Sequence, residues 1–268
     1  MRFPALAGAA LLPTLLLTPC LAQQLNETPL HELLVRLQAN LSAYLSTVPS
    51  FFCDEHVESA TQEAGYDGKI TTNTDSVFRL KRVGEGDATQ LLESREIKAV
   101  NKKSAEGQNI TGPAIFRGAF RNGISMVSLE VALCFDYQRM PDEKINGVKA
   151  IVISYAALPD AAGDRNCPNV QSGRAYFDPR DLHPLRVEAR VPNYVIIGNV
   201  IGLWTWSVDY ASVILEGKTF WMPKTIESRA VANSNRAEWS FVAKYRNYHK
   251  LEVTSHIITD VGGNPPPP

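Results

Sequence analysis

"WTWSVDYASVILEGKTFWMPKTIES", Trp204 to Ser228, reads as two strands and the turn between them. Trp204, Trp206, Val208 and Tyr210 alternate with Thr205, Ser207 and Asp209, so one face is aromatic and apolar and the other polar. Alternation with a period of two is the pattern of an antiparallel strand that buries one face. Glu216-Gly217-Lys218 interrupts it, with glycine placed to supply a positive φ in a tight reversal. The pattern repeats on either side. In "AEWSFVAKYRNY", Trp239, Phe241, Ala243 and Tyr245 lie opposite Glu238, Ser240, Lys244 and Arg246. In "LRVEARV", Leu185, Val187, Ala189 and Val191 alternate with Arg186, Glu188 and Arg190.

Extended along the chain, this reading predicts about eleven strands, centred near residues 55, 76, 94, 136, 151, 175, 187, 210, 225, 242 and 255. Connections are short, and Asn146-Gly147 in "KINGVKAIVISY" is a second strong hairpin signal. Leu30, Leu33, Leu34, Leu37, Leu41 and Tyr44 recur instead at three- and four-residue spacing after Thr28-Pro29, which predicts an amphipathic helix ending near Val48-Pro49. "ITGPAIFRGAFRNGISMVSLEVALCF", Ile110 to Phe135, combines glycines with partial helical spacing and predicts a helical segment across one sheet face. The expected fold is mainly β with helices. A single long antiparallel sheet, too long to stay flat, curls into an unclosed half barrel with helical segments over its concave face.

The chain has 268 residues and a formal net charge of −1. That is enough for a substantial core; near-neutral charge offers no electrostatic case for nucleic acid, and there is no polybasic run for anionic membrane surfaces. Residues 1–22 read as a secretory signal: Arg2, an apolar stretch to Leu17, and a small-residue exit at Cys20-Leu21-Ala22. The rival reading is a lipoprotein signal acylated at Cys20. Residues 23–260 form one domain and 261–268 a proline-rich tail, with no transmembrane segment in the mature chain. Cys53, Cys134 and Cys167 then remain. Cys134–Cys167 is the preferred disulfide, because Cys167 lies in a polar loop that a staple would hold, and Cys53 reads as a buried thiol.

Chemistry is harder to find. "SGRAYFDPRDLHPLRVEARVP", Ser172 to Pro192, gathers Asp178, Arg180, Asp181 and His183, yet each has a role in a hairpin tip. An exposed turn offers no desolvation to tune an acid or base. Asp54 and His56 share a strand face but lack a third ligand, and Cys53 with His56 is the one thiol–imidazole option. Glu93, Arg95 and Glu96 read as a solvated ion-paired face. No HExxH, CxxC, GxSxG or P-loop spacing occurs, so no catalytic residue, metal site or cofactor is expected.

The succession from "SGRAYFDPRDLHPLRVEARVP" through "WTWSVDYASVILEGKTFWMPKTIES" to "AKYRNYHKLEVTSHI" resembles secreted bacterial proteins of the periplasmic lipoprotein-carrier fold, the LolA/LolB-like proteins of outer-membrane lipoprotein sorting. The first helix followed by "VPSFFCDEHVES" resembles their opening. The resemblance spans roughly residues 29–259. It implies an eleven-stranded unclosed barrel whose concave face holds helices and, in carriers, acyl chains. It brings no catalytic residues, and the carrier's lid chemistry matches no residue here. A non-enzymatic envelope protein, in the periplasm or at the outer envelope, follows as the expectation. Its ligand would be a lipid, an acyl chain or a lipoprotein, held by Phe116, Phe120, Trp204, Trp206 and Tyr210, unless these residues simply fill the core. The alternative is a structural or protein-interaction module with a filled barrel.

Overall fold

The computed structural model describes residues 29–63, 65, 68–84, 90–105, 126, 131–159, 167, 172–234 and 236–251. Within them lie one helix, α1 (Leu30–Thr47), and eleven strands: β1 (Phe51–Gln62), β2 (Ile70–Val83), β3 (Gln90–Val100), β4 (Lys103–Ser104), β5 (Phe135–Ile145), β6 (Val148–Ala157), β7 (Ser172–Phe177), β8 (Pro184–Ile197), β9 (Val200–Leu215), β10 (Lys218–Ala232) and β11 (Glu238–Lys250). All pair antiparallel in one sheet of order β4-β3-β2-β1-β11-β10-β9-β8-β7-β6-β5, curled but not closed into a barrel. Two meanders therefore meet in the middle, where the first strand pairs with the last.

The alternation predicted from sequence sorts the side chains. Phe51, Cys53, Val57, Phe78, Leu80, Val208, Ile226, Phe241, Ala243 and Tyr245 all enter one apolar core. Leu33, Leu34, Leu37 and Leu41 of α1 pack onto that same face, so the helix covers the concave side. Ties to three separate strands or turns fix it there. Arg82 of β2 donates to the carbonyls of Leu45 and Val48, where a cation also meets the negative end of the helix dipole. Asn40 Nδ2 donates to the Asp181 carbonyl at 2.9 Å. Tyr44 Oη donates to Met222 Sδ at 3.3 Å.

The predicted turns at Asn146-Gly147 and Glu216-Gly217 both carry positive φ at each residue, as a two-residue hairpin requires. Pro223 stands in β10, an interior strand. It is tolerated because the register shifts between Pro223 and Thr225, and the Tyr248 hydroxyl satisfies its carbonyl. The two-residue β4 was not expected; it follows a turn at Asn101-Lys102, where both residues take positive φ. The strand expected near residue 255, the signal region and the tail lie outside the described residues, as does most of the helical segment expected over Ile110–Phe135; of it Met126 and residues 131–135 are described, as turn leading into β5 at Phe135.

Gly173 in β7 is there for space. A Cβ would sit 2.1 Å from the Glu188 carbonyl oxygen and 2.3 Å from the ring of Tyr155. The Tyr155 ring lies across the glycine and donates its hydroxyl to that same carbonyl at 2.7 Å. Gly173→Ala should therefore displace Tyr155 and destabilise the chain by about 2 kcal/mol or more, as overpacking of a filled site does. Urea denaturation followed by far-UV circular dichroism reads this out. An unchanged midpoint would mean that Tyr155 swings away freely.

Candidate functional site

The concave face under α1 is where the sequence places a ligand. Trp206 and Tyr210 are buried in the core there, and Trp204 is half-buried, with Nε1 donating to Ser228 Oγ at 2.8 Å and its ring against Tyr194 at 4.6 Å. The strand alternation brings these three to one face. Phe116 and Phe120, expected beside them, lie outside the described residues. The Tyr210 hydroxyl is buried and makes no hydrogen bond among the described residues. Burial, followed by the fields of Tyr44 and Tyr155, pushes its ionisation far above the ordinary phenol range, so it stays a neutral donor and acceptor. A buried unsatisfied hydroxyl is uncommon in a folded chain and marks a place where something polar could be received.

A buried ion pair occupies the other half of this face. Glu55 is only 1% exposed and in phase with Phe51, Cys53 and Val57. Arg95 Nε donates to both of its carboxylate oxygens at 2.8 and 2.9 Å, and the hydroxyls of Ser76 and Tyr245 donate to the same carboxylate at 3.0 and 2.8 Å. The guanidinium also sits 4.8 Å above the Phe78 ring. This corrects the expectation of a solvated ion-paired face for Glu93, Arg95 and Glu96. Arg95 points inward, and Glu96 alone pairs with Arg79 and Lys98 on the exposed side. Period-two alternation carried the signal, since a glutamate in the apolar phase of β1 requires a partner.

The thiol–imidazole option does not form. Cys53 is buried on the core face, where burial and the nearby Glu55 carboxylate push its thiol up to about 12. His56 lies on the opposite face, with Nδ1 at 2.6 Å from Asp75. Asp54 shares that outer face but is held by Asn247 Nδ2 at 2.7 Å. Cys134 and Cys167 are joined in a disulfide.

The Asp178–His183 turn is the hairpin tip that the sequence predicts, with one correction. Its two ends are buried rather than exposed, Asp178 at 1% and His183 at 8%, while Arg180 and Asp181 at the apex are exposed. The His183 ring stacks on Trp221 with centroids 3.4 Å apart, and α1 reaches over the turn through Asn40. The side chains could surround a cation, with ligand atoms of Asp178, Asp181 and His183 within 4.8 Å of one another. Arg180 fills that role instead, with Nε and Nη2 bonded to the two Asp178 oxygens at 3.0 and 2.8 Å. His183 Nδ1 lies against Asp181 Oδ1, a contact that is an ion pair only with the imidazole protonated. Leu182 adopts a positive φ of 61° to close the loop.

On the sheet face away from α1, a trough of about 880 Å³ runs over β5 to β11. Several of its charges are spent on one another. Arg186 bonds Glu188 at 2.7 Å, Asp209 at 3.1 Å and Ser207 at 3.2 Å, while Arg174 reaches Glu143 at 3.2 Å.

No family model matches the chain, and no curated protein sequence matches it. Among solved structures it is similar to a DUF1329 family protein from Desulfovibrio piger, with 11% identity, a TM-score of 0.43, and 88% of this chain and 95% of the other covered. A putative outer membrane lipoprotein-sorting protein domain from Vibrio parahaemolyticus is 13% identical, with a TM-score of 0.41 and coverage of 85% and 95%. A LolA superfamily protein from Nitrosomonas europaea is 11% identical, with a TM-score of 0.36 and coverage of 82% and 93%. These neighbours match the carrier-like resemblance noted in the sequence, at low identity.

Removing Arg95 should strand the Glu55 charge. Arg95→Met is expected to cost about 3–5 kcal/mol. The double variant Glu55→Leu/Arg95→Met should cost less than the sum of the two single changes, in a thermodynamic cycle from urea unfolding. Strict additivity would show that the pair is not coupled. The Asp178–His183 turn should weaken in acid. Burial holds His183 below its ordinary 6.5, so the stability it lends is full above that value and declines as pH falls through it. Arg180 holds Asp178 below its ordinary 3.8, which adds a second loss at lower pH. The urea midpoint should fall between about pH 7 and about pH 5, and His183→Gln should flatten that segment. An equal slope in the variant would assign the change to other groups.

Proposed function

We propose that this chain is a non-enzymatic binding protein that takes an apolar ligand on the helix-covered concave face, outside the cytoplasm in the cell envelope. The ligand class is an acyl chain, free or carried by a lipid or lipoprotein. The buried, unpartnered Tyr210 hydroxyl carries the reading. A hydroxyl without a partner costs about 1–3 kcal/mol, which an ester or carboxylate oxygen of a ligand would offset while its chain lies along Trp206 and the leucines of α1. The Cys134–Cys167 disulfide supports an oxidising compartment, either periplasm or outer envelope. A second reading draws on the burial of Trp206 and Tyr210: a filled barrel that serves as an interaction module and holds nothing.

Tyr210→Phe separates the two. Both readings expect the empty chain to become slightly more stable, because an unsatisfied group is lost. The binding reading further expects native mass spectrometry of the wild-type chain, purified without detergent, to show acyl species near one per chain. The Phe variant should then bind palmitate roughly fivefold to tenfold more weakly, equivalent to about 1 kcal/mol. Wild-type chain that carries nothing and takes up no palmitate would overturn the binding reading and leave the filled module.

A further inference from the structure

The β8–β9 hairpin runs past the core without acquiring a polar surface. From Val191 to Val208 the sequence contains no charged residue, and its turn reads Tyr194-Val195-Ile196-Ile197-Gly198-Asn199-Val200-Ile201. Val195 and Ile201 face each other across the two strands and are 56% and 45% exposed. Their partners on the other phase are used internally. Tyr194 lies opposite Gly202 and against Trp204, and Ile196 packs over Gly202, where a Cβ would come within 2.6 Å of its Cδ1. The backbone is anchored as well, with Asn233 N donating to the Ile201 carbonyl at 3.0 Å. A fixed, doubly anchored hairpin thus presents aliphatic side chains to solvent.

Charge changes abruptly at its base. Arg190, Thr205 and Arg229 lie in register across β8, β9 and β10 on the same face as Val195 and Ile201, two steps closer to the body. Arg229 is paired with Glu238, whereas Arg190 has no ion pair among the described residues. Arg236 stands exposed in the neighbouring β10–β11 turn that holds Asn233. The result is an uncharged aliphatic tip with Arg190 and the Glu238-paired Arg229 beneath it on the same face, and the Tyr194–Trp204 pair on the inner phase. The order on that face matches two layers of a bilayer surface, hydrocarbon and anionic headgroup.

We propose that the β8–β9 tip docks on a lipid bilayer with anionic headgroups, seating Val195 and Ile201 at the acyl boundary and Arg190 at the phosphates. The contact is interfacial, made by a few side chains, and depends on both apolar burial and charge. It rests on the hairpin alone and stands apart from what the concave face binds.

Flotation of the full chain with phosphatidylcholine vesicles, with and without phosphatidylglycerol, tests it. The wild-type chain should float with the anionic vesicles and much less with the neutral ones. Val195→Asn/Ile201→Asn should lower partitioning on the order of tenfold on both. Arg190→Gln, on the sheet body and harmless to packing, should weaken binding to the anionic vesicles about fivefold and leave the neutral ones unchanged. Near-UV circular dichroism of the Tyr194–Trp204 pair checks that each variant is folded. The proposal fails if wild-type chain floats with neither vesicle, or if the asparagine variant floats as well as wild type. It also fails if sedimentation shows a dimer that the asparagine variant dissolves while vesicles are ignored, which would assign the tip to a second copy of this chain.

Discussion

The pairing of β1 with β11 joins two meanders that would otherwise each end in an open edge. Val57 lies against Ala243 and Glu55 against Tyr245, partners separated by most of the chain. Glu55 makes this seam specific. Its carboxylate collects hydrogen bonds from β2, β3 and β11 at once, so the strands on both sides of the seam are registered through one buried group. A slip of one residue would turn Glu55 to the polar face and take Phe51, Cys53 and Val57 with it. The apolar pattern and the ion pair therefore enforce the same register. Because the seam closes last in sequence separation, the loop-closure entropy of the whole chain is borne by these contacts.

Once the seam is set, the concave face has a defined width, and α1 is cut to it. The helix carries no side-chain cap at its start, and its ties lie in its second half: Asn40, Tyr44 and the carbonyls held by Arg82. Its first half packs on the core through Leu33, Leu34 and Leu37, with Leu30 against the same cluster. Apolar contact is non-directional and hydrogen bonds are not, so the two halves resist displacement differently.

Much of this was legible from sequence because side-chain alternation is local. Trp206, Val208 and Tyr210 need only their own strand to declare a face, and Leu33, Leu34, Leu37 and Leu41 only their own helix. Turns declare themselves in the same way, as Asn146-Gly147 and Glu216-Gly217 did. Partnerships across strands were not legible. Arg95 alternates with Glu96 in either assignment, and only the register against β2 and β1 decides which of them turns inward. The burial of Asp178 and His183 was hidden for the same reason. Their cover, Trp221 and Asn40, comes from elements far away in sequence, while the turn itself reads as polar and exposed.

The two outward surfaces of the sheet were equally unreadable as a pair, and their contrast is instructive. Over β5 to β11 the polar face neutralises itself, with Arg186 alone engaging Glu188, Asp209 and Ser207. That is what a solvated sheet face needs for solubility and against edge association. The same strands β8 and β9, a few residues further on, abandon the pattern and expose Val195 and Ile201. Nothing in the fold asks for this. The hairpin register is held by backbone pairing, by Gly202 beneath Ile196 and by Tyr194 against Trp204, all on the inner phase. Threonine at 195 and 201 would satisfy the strand equally well, since β-branching and not apolarity is what the pleat rewards. Exposed aliphatic groups that the fold does not require, set above Arg190, which has no ion pair among the described residues, fit a surface outside the chain that covers them.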